Sequence, residues 1–293
     1  MNANHKTSKE HAMKQRVVIF GAAGFVGSSI IKQLGAAYDI LALSRKECDI
    51  ADAASRTNIA ALVKDGDVVI CAAAKAPAKN MEMLTDNISM ITNIAEGLRG
   101  KKLAYLLNIS SDAVYGDSMQ PMDEASAIEP LSAHGIMHCM REYILQHAVA
   151  APIGHLRPTL IYGAGDPHNG YGPNSFIRLA QAGKNIELFG NGEEQRDHVF
   201  VGDVARLAVA MIEQKTTGAV NAVSGEVISF MEIAQLVAAT TNGATQILTK
   251  PRSGPMPHNG YRAFTNARAR AVCPSLTFQS LRHYIPSATK AAA

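Results

Sequence analysis

The stretch Arg16-Val-Val-Ile-Phe20-Gly21-Ala-Ala-Gly24-Phe-Val-Gly27-Ser28 constrains the fold more than any other part of this 293-residue chain. Arg16–Phe20 is short, apolar and rich in β-branched residues, which reads as a strand buried on both faces. The glycines that follow permit a tight turn, a close approach of backbone to a ligand, and close packing of helix on strand. A helix over 28–34 and a second strand over 39–43 complete a βαβ unit within about 30 residues. The N-terminus of such a helix faces the bound anion. A dinucleotide pyrophosphate is therefore expected at Gly21, Gly24 and Gly27, with Phe25 and Val26 beside it.

The alternation continues with a helix over 59–64, a strand over 67–72, a helix over 87–98, a strand over 103–109 and a helix from about 132 to 148. A strand over 154–157 follows, ended by Pro158. The fold class is α/β, a doubly wound parallel sheet of the Rossmann type. Residues 163–174 then carry four Gly and two Pro, which argues for a loop, and later segments alternate less regularly. The expected organisation is a flexible tail over 1–14 and a dinucleotide-binding domain over 15–165 plus about 191–219. A smaller C-terminal α/β substrate-binding lobe is expected over 166–190 and 220–285, resting on the sheet's C-terminal edge.

The tip of the second strand selects the cofactor, because a carboxylate there accepts from the adenosine ribose hydroxyls and repels a 2′-phosphate. The residues are Ser44-Arg45-Lys46, with two cations and no acid, which favours NADP and leaves NAD possible. Asp49 and Ile50 are placed at the adenine edge, and Ala72, Ala73 and Ala74 flank the cofactor after the third strand.

Composition excludes several alternatives. Lys and Arg total 28 against 25 Asp and Glu, a net charge of +3 that is too small and dispersed to make nucleic acid the default partner. Four cysteines without a CxxC pair suggest neither a disulfide framework nor a Cys-rich zinc site. No apolar run of about 18 residues occurs, and residues 1–15 are too polar for a signal peptide. The expectation is a cytoplasmic protein without membrane partners.

Several motifs, in order, resemble the extended short-chain dehydrogenase/reductase family of nucleotide-sugar epimerases, dehydratases and reductases. They are Gly21–Gly27, Val69–Ala74, Asn108-Ile-Ser-Ser-Asp-Ala-Val-Tyr-Gly116, Leu156-Arg-Pro158 with Tyr162-Gly163, and Phe189-Gly-Asn-Gly-Glu-Glu-Gln-Arg-Asp-His-Val-Phe-Val-Gly-Asp-Val204. The resemblance spans about 15–285. It implies that Ser111 holds the sugar's C4 oxygen with Asp112 beside it, that Pro158 borders the cofactor, and that Arg196 grips the nucleotide diphosphate with its planar, always charged fork. Without that role, Arg196 would be a surface partner of Asp197 or Glu193. It also implies a homodimer built through helices near 87–98 and 132–148, for which Met90, Met137 and Met140 supply apolar content.

One departure matters. The resemblance predicts a Tyr-x-x-x-Lys pair after Pro130, and the aligned positions hold His134 and His138. Three readings follow. His134 is a general acid/base, since an imidazole of reference pKa about 6.5 exchanges protons near neutrality without a lysine, and His138, one turn on, orients it or touches the ribose. Alternatively the site has lost redox chemistry and the protein is a catalytically silent nucleotide or nucleotide-sugar binder. Thirdly, His-x-x-x-His holds a metal, although no third ligand is evident and the site assignment includes none. Ser111 is followed by Asp112-Ala113 rather than Asp-Glu, which disfavours dehydration. The function expected is a 4-epimerase or 4-keto reductase acting on a nucleotide-linked sugar, with Ser111, His134 and His138 at the reacting centre. Lys75, after the Ala72–Ala74 loop, is a candidate source of the missing cation, or else a surface lysine.

Overall fold

A computed structural model describes residues 14–290; all but the last residue of the tail expected over 1–14 lies outside the described residues. Six strands form one parallel sheet: β1 (Arg16–Phe20), β2 (Asp39–Leu43), β3 (Val68–Cys71), β4 (Tyr105–Ile109), β5 (Ile153–Pro158) and, later in the chain, the strand Gly218–Ala222. Val17 and Ile19 turn into one core, Val18 and Phe20 into the other, as the two-residue period of a strand covered on both faces requires. The helices α1 (Phe25–Leu34), α2 (Ser55–Leu62), α3 (Met81–Gly97) and α4 (Ala133–Ala148) connect these strands. Ile59, Ile91, Ile94 and Leu145, from α2, α3 and α4, fill one face of the sheet, and Ile30 and Leu34 of α1 the other.

Helix α3 begins six residues before the expected 87, because the Asn80 side chain caps it by accepting from the Met83 N–H at 2.9 Å. Helix α1 begins at Phe25 rather than Ser28, straight out of the glycine turn.

Beyond β5 come β6 (Leu160–Tyr162), α5 (Pro173–Gln181), β7 (Ile186–Phe189), β8 (Gln195–Phe200) and α6 (Val201–Gln214). Then follow β9 (Gly218–Ala222), β10 (Val227–Ser229), α7 (Phe230–Ala238), β11 (Ile247–Lys250), β12 (Tyr261–Arg262), α8 (Ala267–Val272) and α9 (Leu281–Lys290). Phe176, Ile177, Leu188, Phe230, Ile233 and Ile285 gather in a separate core. Not all of 220–285 joins it. Strand β9 pairs with β5, and Ala269, Val272 and Leu276 return to the sheet's core against α6. The sheet order β2-β1-β3-β4-β5-β9 reverses direction at β1, so a crevice opens beyond the C-terminal ends of β1 and β3.

Candidate active site

A cavity of about 800 Å³ occupies that crevice. One wall is the glycine turn. Gly21 has φ +88°, and a Cβ there would sit 2.5 Å from the Ala73 nitrogen; a Cβ on Gly27 would sit 2.2 Å from the Gly21 carbonyl oxygen. Only bare backbone fits. The first turn of α1 has no side-chain cap and no acidic residue, so its N–H groups stay available to an anion. Gly24, Phe25, Val26, Gly27, Ala72, Ala74 and Pro158 line this end, while Gly21 and Ala73 lie just behind it in the contact described.

The opposite wall is α4. Ser132 caps the helix by accepting from the Gly135 N–H at 3.1 Å. A Cβ on Gly135 would meet the Ala113 carbonyl at 2.1 Å, so the helix packs directly on the short turn over 112–114. Ser111 caps that turn from the Ala113 N–H at 3.1 Å. These two caps bring Ser111, Asp112, His134 and His138 to one cavity wall.

The two imidazoles meet edge to face, 4.6 Å between centroids and 86° between planes. The Ala78 N–H donates to His134 Nδ1 at 3.4 Å. That assigns the ring proton of neutral His134 to Nε2. Burial holds His134 below the usual imidazole pKa; Asp112 opposes this and His168 adds to it. His138 is 4% exposed and shifted further down, by burial first and then by His134 and Arg141, and its Nδ1 has no partner. Among the described residues no group of three or more His, Cys, Asp or Glu side chains could hold a metal, which leaves the His-x-x-x-His pair without further ligands.

Behind His138 lies a residue that the motif alignment passed over. Arg141 is fully buried and donates to the carbonyls of Ala73 (3.0 Å) and Cys71 (3.3 Å) and to Asn108 Oδ1 (3.3 Å), with no carboxylate among its partners. The signal was present, since positions 134, 138 and 141 share one helical face. Lys75 is spent elsewhere: its Nζ pairs with Asp86 at 2.6 Å. Glu142 anchors the same helix. It takes Arg157 Nε and Nη2 at 2.9 and 2.6 Å and Ser110 Oγ at 2.5 Å, and these bonds outweigh its burial and hold its pKa low.

A matching family model, the NAD dependent epimerase/dehydratase family, covers residues 17–223, from the first strand of this cavity to just past the last strand of the sheet. The chain belongs to that family. A dTDP-4-dehydro-6-deoxy-D-allose reductase from Streptomyces sp is 26% identical over 80% of this chain and 84% of its own length. An ADP-L-glycero-D-manno-heptose-6-epimerase from Thiobacillus denitrificans is 28% identical over 78% of each. Among solved structures, MoeE5 in complex with UDP-glucuronic acid and NAD aligns with a TM-score of 0.82 at 21% identity, covering 95% of this chain and 100% of its own. A dTDP-4-dehydrorhamnose reductase from Clostridium acetobutylicum gives 0.78 at 20%, covering 94% and 99%. At these identities the structures establish the shared fold.

Within this epimerase/dehydratase fold the adenosine end differs from expectation. Ser44, Arg45, Asp49 and Ile50 do not line the cavity; Arg45 and Asp49 face solvent, and Ile50 is in the core beneath. The tip of β2 does carry a carboxylate. Glu47 folds back to accept from the Ser44 N–H at 2.9 Å and from Ser44 Oγ, and these two bonds lower its pKa. The strand tip is thus not free of acid as Ser44–Lys46 suggests, although Glu47, like its neighbours, does not line the cavity.

At the far end Arg196 lines the cavity, and its Nε donates to buried Glu194 at 2.7 Å. Neither Asp197 nor Glu193 is its partner; Asp197 accepts instead from the Ser224 and Gly225 N–H groups at 2.9 and 2.8 Å. Met90 and Met137 are core residues, so of the three methionines only Met140 is on the surface, in a stripe with Ile136 and Tyr143. Among the described residues no helix is long and apolar enough to cross a membrane.

Proposed function

We propose that this protein is a nicotinamide-dependent oxidoreductase that reduces the 4-keto group of a nucleotide-linked sugar. One observation carries the reading. A single cavity runs from the glycine turn, past Ser111 and His134, to Arg196, so dinucleotide, reacting oxygen and diphosphate sites lie along one path. The backbone cradle at Gly21 and Gly27 and the open first turn of α1 fit a pyrophosphate. When bound, the nicotinamide supplies the hydride.

The chain's own residues supply the rest. Neutral His134 presents Nε2–H, a donor that suits a carbonyl oxygen, and Ser111, on the turn that packs against α4, lines the same cavity. A ketone accepts such a bond, and the alkoxide left by hydride addition takes the Nε2 proton, which the ring regains from solvent. A ring already carrying that proton cannot take one from an alcohol, which is why reduction is preferred to epimerisation. His138 lines the cavity and has an unpartnered, buried Nδ1, which suits a ribose hydroxyl. Arg196 suits the diphosphate, half of its fork remaining beyond its bond to Glu194. NAD is preferred to NADP, because Arg45 faces solvent and does not line the cavity, and the MoeE5 neighbour is in complex with NAD.

One observation favours the rival reading, a silent binder: among the described residues no lysine lines the cavity, with Arg141 buried and Lys75 paired to Asp86. The deciding experiment mixes protein, NADH and a dTDP-4-keto-6-deoxy sugar. Loss of NADH absorbance supports the reductase, and binding of both without it supports the rival. We place the protein in the cytoplasm as a homodimer, joined through the exposed stripe Ile136, Met140 and Tyr143 of α4.

A further inference from the structure

A second titratable cluster borders the same cavity, tied through Arg262 to the far side of the turn on which α4 packs. His258 and Asp117, 141 residues apart, meet with Nδ1 and Oδ1 at 2.5 Å. Both line the cavity. A carboxylate on Nδ1 fixes the ring proton there, and Nε2 then carries the lone pair and makes no hydrogen bond to protein among the described residues. Arg262, 3% exposed, has Nη1 3.1 Å from Nδ1, and the cation lies 3.6 Å from Asp117. A guanidinium only donates, so with the proton on Nδ1 toward the closer carboxylate, Nη1 gives its hydrogen to the Gly116 carbonyl at 3.0 Å. Its remaining donors are spent on Asp112 and on the Tyr115 carbonyl. The imidazole is thus clamped by a carboxylate that faces a buried cation.

The backbone that presents it is unusual. His258 and Asn259 have φ of +51° and +52°, and Gly260 follows at +82°. Two consecutive non-glycine residues in the left-handed region are disfavoured, and such conformations concentrate at functional sites. Burial, then Arg196 and Arg262, holds His258 below the usual imidazole pKa against the pull of Asp117, so it is neutral at pH 7.

We propose that Asp117 and His258 form a general-base dyad that removes and returns the proton on a carbon next to the sugar ketone. This rests on the keto-sugar reading above. His258 Nε2 takes the proton; the C–H electron pair becomes the C=C bond, and the carbonyl π pair moves to oxygen, giving an enolate. The imidazolium is held by Asp117, and the enolate oxygen by the donors at Ser111 and His134. Return of a solvent proton from Nε2 to carbon restores the ketone. No oxidant or reductant is consumed, and the outcome is hydrogen exchange or inversion at that carbon.

The test incubates the protein with dTDP-4-keto-6-deoxy-D-glucose in D2O without any nicotinamide and follows deuterium at the two carbons flanking the ketone by NMR. The expected result is enzyme-dependent exchange at one of them, about 10²-fold or more slower in both His258→Asn and Asp117→Asn. Should His258→Asn fail to fold, judged by its melting transition, Asp117→Asn carries the comparison. No exchange above the protein-free rate, or exchange undiminished in a folded variant, overturns the dyad. NADH consumption is measured separately in the wild type. Reduction without exchange removes only this inference, and exchange without reduction removes only the reductase reading.

Discussion

The two walls of the cavity are specified in different ways. The glycine wall is backbone: at Gly21 and Gly27 the constraint is the absence of a Cβ, and nothing but the chain itself touches the space a ligand would fill. The α4 wall is side chains placed by charge and caps, where His134 and His138 line the cavity while the helix keeps its position on the turn at Ser111. A backbone site tolerates no substitution and so reads plainly in sequence. A side-chain site can exchange its chemistry while its geometry persists.

That contrast can be broken most severely at the charge that anchors α4. Glu142→Leu leaves Arg157 a buried cation without its carboxylate, and the expected loss of stability is about 3–5 kcal/mol, read by urea denaturation. His134→Ala removes the donor at the reacting oxygen. Its expected effect is a fall in kcat of about 10²–10³ with dinucleotide affinity little changed, checked by steady-state kinetics beside calorimetry. Gly27→Ala acts on the other wall with the reverse pattern, an abolished dinucleotide titration and a destabilisation of about 1–3 kcal/mol.

A smaller effect follows from the buried histidines. His138, His155 and His198 are all held below the usual imidazole pKa by burial, His198 to about 3. The unfolded chain binds more protons there, so their stabilisation is complete above about pH 6.5 and declines as the pH falls toward the folded pKa values. For His198 alone the loss between pH 7 and pH 5 is about 2 kcal/mol, while Asp197, pushed up to about 7 by burial, gains stability over the same range and opposes it. The histidine part is therefore read as the difference between wild type and His198→Asn, whose melting temperature should fall less with acid; equal slopes would contradict the burial of a neutral imidazole. The smallest effect is expected at Lys75→Ala, which breaks an exposed pair with Asp86 and should alter stability by about 1 kcal/mol or less and cofactor affinity not at all.

The strands and the glycine turn were legible because their signals are local: β-branched runs for β1 and β3, and Gly spacing for the turn into α1. Helix α3 starts earlier than expected because its first turn, Met81–Leu84, is not buried in the core and announces itself only through the Asn80 cap. Glu47 was missed because its carboxylate reaches back three residues to the strand tip, which no inspection of Ser44–Lys46 alone can show. Arg141 could have been found from its helical face. His258 with Asp117 could not, since their meeting depends on the tertiary path of the C-terminal segment.

The central claim is that His134, rather than a Tyr–Lys pair, serves the reacting oxygen in hydride transfer to a sugar ketone. The most direct test supplies NADH deuterated at the transferable position together with a dTDP-4-keto-6-deoxy sugar, and follows the label by mass spectrometry across pH 6 to 8 in wild type and His134→Ala. The account predicts one deuterium on the sugar carbon, a rate nearly flat with pH because neutral His134 is the donor, and about 10²–10³ slower transfer in the variant. Transfer as fast without His134, or no transfer with both ligands bound, would contradict it.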